Sequence, residues 1–497
     1  MKTLRHHFHG AVPWAAIALV AVALSVHPVA AEKNGKGGAD RAAGVWELVF
    51  PDAADGGGDR FLLEFGLDAK GEMTGEVHTY KDGVRRMAEP LDRVRSDGGR
   101  FVWRLPSTGV GFEGEWGASG DTVRGALIIK GEKGKGVWMV RLPADAAGGL
   151  RPLPKGASWT YRPPEATGDG WEATTLAEAG LDENAYAAGI AALLEGAYGE
   201  VHSILVIRDG RLAAEDYFYG YDREKLHSVQ SVTKSVTALL IGAAADRGRI
   251  AGPDEPVLSF FEKFAGPIGE GWEKVRLRHI LTMSAGLRWD ESSLAAFRES
   301  DDMYSVPLSR PVAGEPGSLW AYDSQNMALL ATVIRRATGV PADRFAAEVL
   351  FAPLGIERWD WSEMKRGEDP RCDGTLRLRP RDMGKIGRLV LDGGVWRDGR
   401  VLSKEWIDEA TGRRVSTGAE EDYGYLWWIA DRTIGDHTLR VVFANGWGSQ
   451  FIFVIPDLRM VVVTTGGNME NDMHFAPVRM IRDFIIGPAL GVPPPRG

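Results

Sequence analysis

Leu226-His-Ser-Val-Gln-Ser-Val-Thr-Lys234 runs directly into Ser235-Val-Thr-Ala-Leu-Leu-Ile-Gly-Ala-Ala244. The apolar residues Val236, Leu239, Leu240 and Ala243 recur at helical spacing, which predicts a helix over Ser231–Arg247 with one apolar face. Ser231 and Lys234 stand three positions apart, so the hydroxyl and the amine share a face at its first turn. A serine hydroxyl is a poor nucleophile until a base takes its proton. A lysine beside it serves when burial lowers its pKa, and the helix N-terminus brings partial positive charge to a developing oxyanion. Taken alone, Ser-x-x-Lys also describes a first-turn serine beside a surface lysine. A second copy, Ser362-Glu-Met-Lys365, lies in a polar, turn-rich stretch without an apolar helix after it, and reads as solvated loop.

Two later stretches carry chemistry in the same order along the chain. Tyr322-Asp323-Ser324 precedes a predicted helix and follows the turn Glu315-Pro316-Gly317. Ala444-Asn-Gly-Trp-Gly-Ser-Gln450 leads into a predicted strand, where small residues allow close backbone approach and expose an N–H at an oxyanion position. Separately, these stretches read as a core tyrosine and a strand-entry turn.

Together, helix-borne Ser-x-x-Lys, then Tyr-x-Ser, then a glycine-bearing strand resemble the serine β-lactamase and penicillin-binding protein superfamily. The chain is most similar to its class C-like esterase and 6-aminohexanoate-dimer (nylon-oligomer) hydrolase branch. Arg278-His-Ile-Leu-Thr-Met-Ser-Ala-Gly-Leu287, Tyr423-Gly-Tyr-Leu-Trp-Trp428 and Gly448-Ser-Gln-Phe-Ile-Phe-Val-Ile-Pro456 add to the likeness, which covers roughly 161–487. The resemblance implies an α/β (α+β) β-lactamase/transpeptidase-like fold: an antiparallel sheet flanked by helices, plus a helical subdomain, with the site between. It implies Ser231 as the acylated nucleophile and Lys234 with Tyr322 as the proton-handling pair. The backbone N–H groups of Ser231 and Trp447 would form the oxyanion hole, with Ser324, Asn445 and Gly446 binding substrate. Three features depart from the superfamily pattern. No cation stands at Ala444-Asn445-Gly446, Ser324 replaces a common asparagine, and Trp289-Asp-Glu-Ser-Ser293 lacks the extra tyrosine of the nylon-hydrolase branch, Tyr304 being the nearest.

Outward from this region the composition changes. Residues 32–150 hold 24 Gly in 119 positions, against 38 in the following 347. Short alternating segments at 45–50, 60–67, 72–80, 100–105, 111–116, 122–130 and 136–142, separated by turns, predict a small all-β barrel or sandwich over 40–145. Gly109-Val-Gly-Phe-Glu-Gly114 has dinucleotide-fingerprint spacing but no helix after it, so its glycines read as bends between strands. A Pro/Gly-rich linker spans 146–175 and the hydrolase-like domain 176–490. In that domain the predicted helices are 181–194, 231–247, 326–337 and 381–391, with a last one marked by Phe475, Val478, Ile481 and Ile485. Val201–Arg208 and Leu212–Phe218 flank Asp209-Gly210 as a hairpin, and Gln450–Ile455 and Met460–Thr465 form another.

At the start, Lys2 and Arg5, an apolar run from Ala11 to Val26 and Val29-Ala30-Ala31 read as a cleaved secretory signal over 1–31. A bacterial periplasmic or secreted address follows, with no membrane-spanning segment after cleavage. Losing Lys2 and Arg5 takes the formal charge from −9 to −11. The 59 basic against 68 acidic residues form no basic block, so nucleic acid is not an expected partner. Cys372 is the only cysteine, which excludes an internal disulfide and a Cys-rich zinc site. His78, His202, His227, His279, His437 and His474 show no metal spacing, and His279 reads as structural. No Gly-x-Ser-x-Gly elbow is present.

These readings converge on an exported serine hydrolase that cleaves a small-molecule ester or amide through a Ser231 acyl-enzyme, without cofactor or metal. Either Lys234 or a Tyr322 phenolate takes the Ser231 proton. The alternatives are a penicillin-binding type D-amino-acid peptidase or β-lactamase, and a catalytically silent binding protein with the same fold.

Overall fold

The computed structural model describes residues 42–50, 59–81, 84–97, 99–118, 120–143, 149–153, 157–287, 303–362, 369–469 and 472–495. The signal-like segment 1–31 and the stretch Trp289–Ser293 lie outside them. The chain divides into two compact units, Met1–Ala157 and Ser158–Gly497.

The first unit is a closed antiparallel barrel of eight strands: β1 (Gly44–Val49), β2 (Asp59–Leu67), β3 (Met73–Lys81), β4 (Val84–Ser96), β5 (Arg100–Arg104), β6 (Gly111–Trp116), β7 (Thr122–Ile129) and β8 (Glu132–Arg141). β1 pairs with β8 as well as β2, so no edge is left open. Inward-facing Trp46, Leu63, Phe65, Phe101, Trp103, Phe112, Val123 and Met139 are part of its core, which side chains fill. The strand missing from the sequence reading is β4. Arg85, Arg86, Glu89, Pro90, Asp92, Arg93 and Arg95 hide any apolar alternation, and its register breaks between Asp92 and Arg95, beside the left-handed Arg93. Pairing with β3 and β5 overrides that weak local preference. The glycines here serve close packing: a Cβ on Gly125 would stand 2.2 Å from the Glu113 carbonyl oxygen.

In the second unit, chain order runs β9 (Glu172–Ala173), α1 (Glu183–Leu194), β10 (Val201–Arg208), β11 (Arg211–Tyr217), β12 (His227–Ser228) and α2 (Val232–Asp246). It continues through α3 (Met327–Thr338), β13 (Trp359–Asp360), β14 (Arg377–Leu378), α4 (Pro380–Leu391), β15 (Val395–Trp396), β16 (Gly399–Arg400), α5 (Lys404–Thr411), β17 (Val415–Ser416) and β18 (Asp422–Tyr423). The last elements are β19 (Trp428–Ile434), β20 (His437–Gly446), β21 (Gln450–Ile455), β22 (Met460–Gly466) and α6 (Ala476–Ile481). Nine strands make one sheet in the order β17-β18-β19-β20-β21-β22-β10-β11-β9. The chain therefore returns from its end to pair β22 with β10, and only the β9–β11 pair is parallel. Every residue of β21 and β22 is buried, so both sheet faces are covered. Leu205, Ile207, Ile452, Val454, Val461 and Val463 point into the core around α2, and the alternate residues face the other side. This is the β-lactamase-like fold expected from the sequence, preceded by a separate barrel.

Helix α2 is buried over its whole length from Val232 to Ala244, not on one face alone. Val232, Val236, Leu239, Leu240 and Ile241 each contribute about 1.5–3 kcal/mol on burial. The indole of Trp406 sits where a Cβ on Gly242 would be, 2.2 Å away. The helix that follows the predicted nucleophile is thus held on every side.

Candidate active site

Ser231 stands at the start of α2, and Lys234 lies one turn on, 1% exposed. Lys234 Nζ is 2.8 Å from Ser231 Oγ, so the pair forms the contact that i, i+3 spacing predicts. Both groups also reach the backbone carbonyl of Asp373, at 2.5 Å from Nζ and 3.4 Å from Oγ. That carbonyl carries no residue signature, so the sequence reading missed it. Its position follows from a strip, 371–378, laid along the start of α2. Arg371 ion-pairs with Asp373, Thr237 Oγ1 donates to the Cys372 carbonyl, Leu376 N–H donates to Thr233 Oγ1, and β12 pairs with β14. Gln230, just before the serine, holds a left-handed backbone at φ 50°. For a side chain with a Cβ this costs of order 1–3 kcal/mol, the kind of strain that collects at functional sites. Thr233 Oγ1, donating to the Gln230 carbonyl at 2.6 Å, helps hold it.

The Lys234 nitrogen also lies over the ring of Tyr322, 5.1 Å from its centroid, so the structure brings together Ser231, Lys234 and Tyr322. Tyr322 stacks on Trp428 at 6.1 Å and meets Trp320 at 6.2 Å. Burial, with the Tyr322 phenol beside it, holds the Tyr423 hydroxyl well above its ordinary pKa and therefore protonated. Of the tryptophan pair, Trp427 is fully buried and Trp428 joins this aromatic wall. Ser324 opens a 3-10 turn capped by the Asp323 carboxylate and makes no hydrogen bond to Ser231 or Lys234. Tyr304 packs against Phe261 and Phe264, in the helical region.

From the other side comes the turn between β20 and β21. A Cβ on Gly446 would meet the Val229 carbonyl oxygen at 2.3 Å and the Ser231 nitrogen at 3.1 Å. The space freed by this glycine is therefore occupied by the protein's own backbone. Trp447 follows with its side chain 39% exposed. Asn445 Oδ1 lies 3.0 Å from His474 Nε2, and His474 Nδ1 accepts from the N–H groups of Gly448 and Ser449 at 3.2 and 3.1 Å. Burial pushes the His474 pKa down to about 4. This histidine had no signal in the sequence, being 25 residues from the nearest residue of the turn it touches.

Other expectations have plain outcomes. Ser362 is exposed and hydrogen-bonded to Asp360, and Lys365 lies outside the described residues. His279 Nδ1 accepts from the Arg276 N–H as a helix cap. A buried chain links Glu200 to His202 Nε2 and His202 Nδ1 to His227 Nε2, each at 2.8 Å. Among the described residues one trio, Glu64, Glu76 and His78 of the barrel, has the proximity a metal ion needs. Glu64, however, already ion-pairs with Arg151. No described helix is long and apolar enough to cross a membrane.

A family profile described as Beta-lactamase matches residues 190–479, more than half of the sequence, and the chain belongs to that family. It is 26% identical over 260 residues to a 6-aminohexanoate-dimer hydrolase of Paenarthrobacter ureafaciens, covering 47% of this chain and 65% of that protein. To penicillin-binding protein 4* of Bacillus subtilis it is 27% identical over 313 residues, covering 54% and 66%. The chain thus spans about two thirds of the length of these two relatives. In fold it is similar to a Bacillus anthracis structure provisionally assigned as a 6-aminohexanoate-dimer hydrolase, with TM-score 0.53, 20% identity and coverage of 65% and 84%. It is also similar to EstCE1, a hydrolase with promiscuous acyltransferase activity, with TM-score 0.51, 14% identity and coverage of 60% and 97%.

Proposed function

We propose that the protein is an exported serine hydrolase that opens a small ester or linear amide through an acyl-enzyme on Ser231. The observation that carries this reading is the buried Lys234 amine, 2.8 Å from Ser231 Oγ, at the head of a helix. Oγ attacks the substrate carbonyl carbon while its proton passes to Lys234 or to Tyr322. Negative charge forms on the carbonyl oxygen, facing the N–H groups of Ser231 and Trp447. The bond to the leaving group then breaks, and the stored proton returns to that group. In the second half water attacks the acyl carbon and gives its proton to the same base; the bond to Ser231 Oγ then breaks, Oγ takes that proton back, and the acid is released. Asp373 holds the amine in place through its carbonyl, and the Tyr322 ring stabilises the ammonium form that follows proton transfer.

The aromatic wall of Trp320, Tyr322 and Trp428 favours an apolar group at the reacting carbon. No cation stands at 444–446, which disfavours a substrate carboxylate there. The likeness to penicillin-binding protein 4* supports a second reading, a D-amino-acid peptidase or β-lactamase. A fluorophosphonate probe and a panel of chromogenic short esters, linear amides, D-amino-acid amides and a cephalosporin separate these. Labelling mapped to Ser231 with ester or amide turnover is the expected result. Rapid cephalosporin turnover favours the second reading. A protein that is neither labelled nor active has kept the fold for binding alone. Detection of the mature protein beginning at Glu32 in a periplasmic or culture fraction tests the export.

A further inference from the structure

We infer that His474 is a positioning residue that aims the Trp447 N–H at the reacting carbonyl by filling the backbone nest of the following two residues. The inference rests on the proposed roles of Ser231 and of the Trp447 N–H.

The turn between β20 and β21 is three residues long, closed by the pair Gly446–Gln450. Gly448 and Ser449 are both left-handed, at φ 84° and 73°. Successive N–H groups in such a turn point into one concavity, which ordinarily attracts an anion. Here His474 Nδ1 occupies it, accepting from both N–H groups. The lone pair must therefore be on Nδ1 and the proton on Nε2, where it donates to Asn445 Oδ1. One neutral imidazole thus ties the residue before Gly446 to the two residues after Trp447. The histidine is itself anchored, because Ser449 Oγ donates to its backbone carbonyl at 2.7 Å and the Phe451 and Phe475 rings flank it. Gly446, pressed against Val229 and the Ser231 nitrogen, fixes the other end of the Trp447 peptide group. With both ends held, the Trp447 peptide group is fixed in one orientation, which its proposed role beside the Ser231 N–H requires. Without His474 the nest would be free to draw in water or a substrate anion, and the turn free to swivel.

The test compares two amide substitutions in the full chain. Asn at 474 places its Oδ1 where Nδ1 stood, keeping the acceptor for both N–H groups. Gln reaches toward the Nε2 position and Asn445, leaving the two N–H groups unmet. Fluorophosphonate labelling of Ser231 is followed for its maximal rate and its half-saturating concentration, with melting curves for each variant. His474→Gln is expected to lower the maximal rate at least tenfold, approaching the roughly 10²–10³ of deleting an oxyanion donor, with half-saturation unchanged. His474→Asn is expected to stay within about threefold of the parent, even where both variants melt at the same temperature. Equal losses in the two variants, or a change in half-saturation alone, overturn the inference. If only the Asn variant folds, a loss beyond threefold overturns it. Ser231→Ala, run in parallel, separates the two layers. Labelling that survives in it sinks the proposed nucleophile, whereas loss there with full-rate labelling of His474→Gln sinks the positioning role alone.

Discussion

Replacing Gly446 by alanine isolates one distance at the heart of the site. The backbone there is not left-handed, so alanine meets no conformational penalty and the outcome depends on space alone. Its Cβ would stand 2.3 Å from the Val229 carbonyl oxygen and 3.1 Å from the Ser231 nitrogen. Ordinary contact begins near 3.4 Å, so β20 and the start of α2 must part by about 1 Å. Neither side has a flexible atom to give: α2 is buried along its length, and β20 is held between β19 and β21. Overpacking of this kind costs about 1–3 kcal/mol of stability. The two N–H groups proposed to share the oxyanion sit on opposite sides of the opening. A misplacement of about 1 Å costs on the order of 10²-fold in rate. Single-turnover acylation by a chromogenic short ester, with melting curves, measures both effects. A Gly446→Ala protein that is folded and acylates within threefold of the parent would refute the opposed N–H groups as the source of oxyanion stabilisation.

Three further outcomes are expected. Tyr322→Phe keeps the Trp428 stack and the ring beneath Lys234, yet should slow acylation by about 10²–10⁴ if the phenol moves the proton; a loss under tenfold with an unchanged pH profile assigns that task to Lys234. Burial and the neighbouring His202 push the His227 pKa down to about 3, while the unfolded chain takes the proton near 6.5. The stability from this neutral imidazole is therefore present above pH 6.5 and lost as pH falls toward 3, about 2 kcal/mol of it by pH 5. Denaturant midpoints at pH 7 and pH 5 should differ less in His227→Gln than in the parent, and equal slopes would contradict the assignment. Arg381, 2% exposed, ion-pairs with Glu215 and Asp169 and donates to Thr167 Oγ1 and the Glu165 carbonyl. Arg381→Leu strands the carboxylates and should cost about 3–5 kcal/mol, read as a fall in denaturant midpoint; a change under 1 kcal/mol would mean water replaces the guanidinium freely.

The site was legible where chemistry rides on local spacing. Ser231 and Lys234 are one helical turn apart, so the sequence carries their contact. β6 was legible by its two-residue alternation, and β10 and β21 as short apolar runs bounded by turn residues. β4 was not, because its residues obey the barrel's closure rather than a period. β19 and β20 were passed over as well. Their apolar residues bury only after β20 pairs on both sides, and Asp431, Arg432 and Arg440 interrupt the pattern.

Residue order alone specified a small all-β unit, barrel or sandwich, ahead of a β-lactamase-like domain, and a helix with Ser231 and Lys234 on one face, because short-range periodicity is written directly in the chain; Tyr322 entered only through the family resemblance of the motif order. Tertiary structure alone decided that Asp373 lends a carbonyl to both Ser231 and Lys234, that Gln230 is strained, and that Gly446 admits the backbone beside Ser231. It alone brought His474 to a turn 25 residues away. Backbone atoms have no residue code, and a contact between distant segments depends on how the sheet closes around α2, which no local pattern encodes.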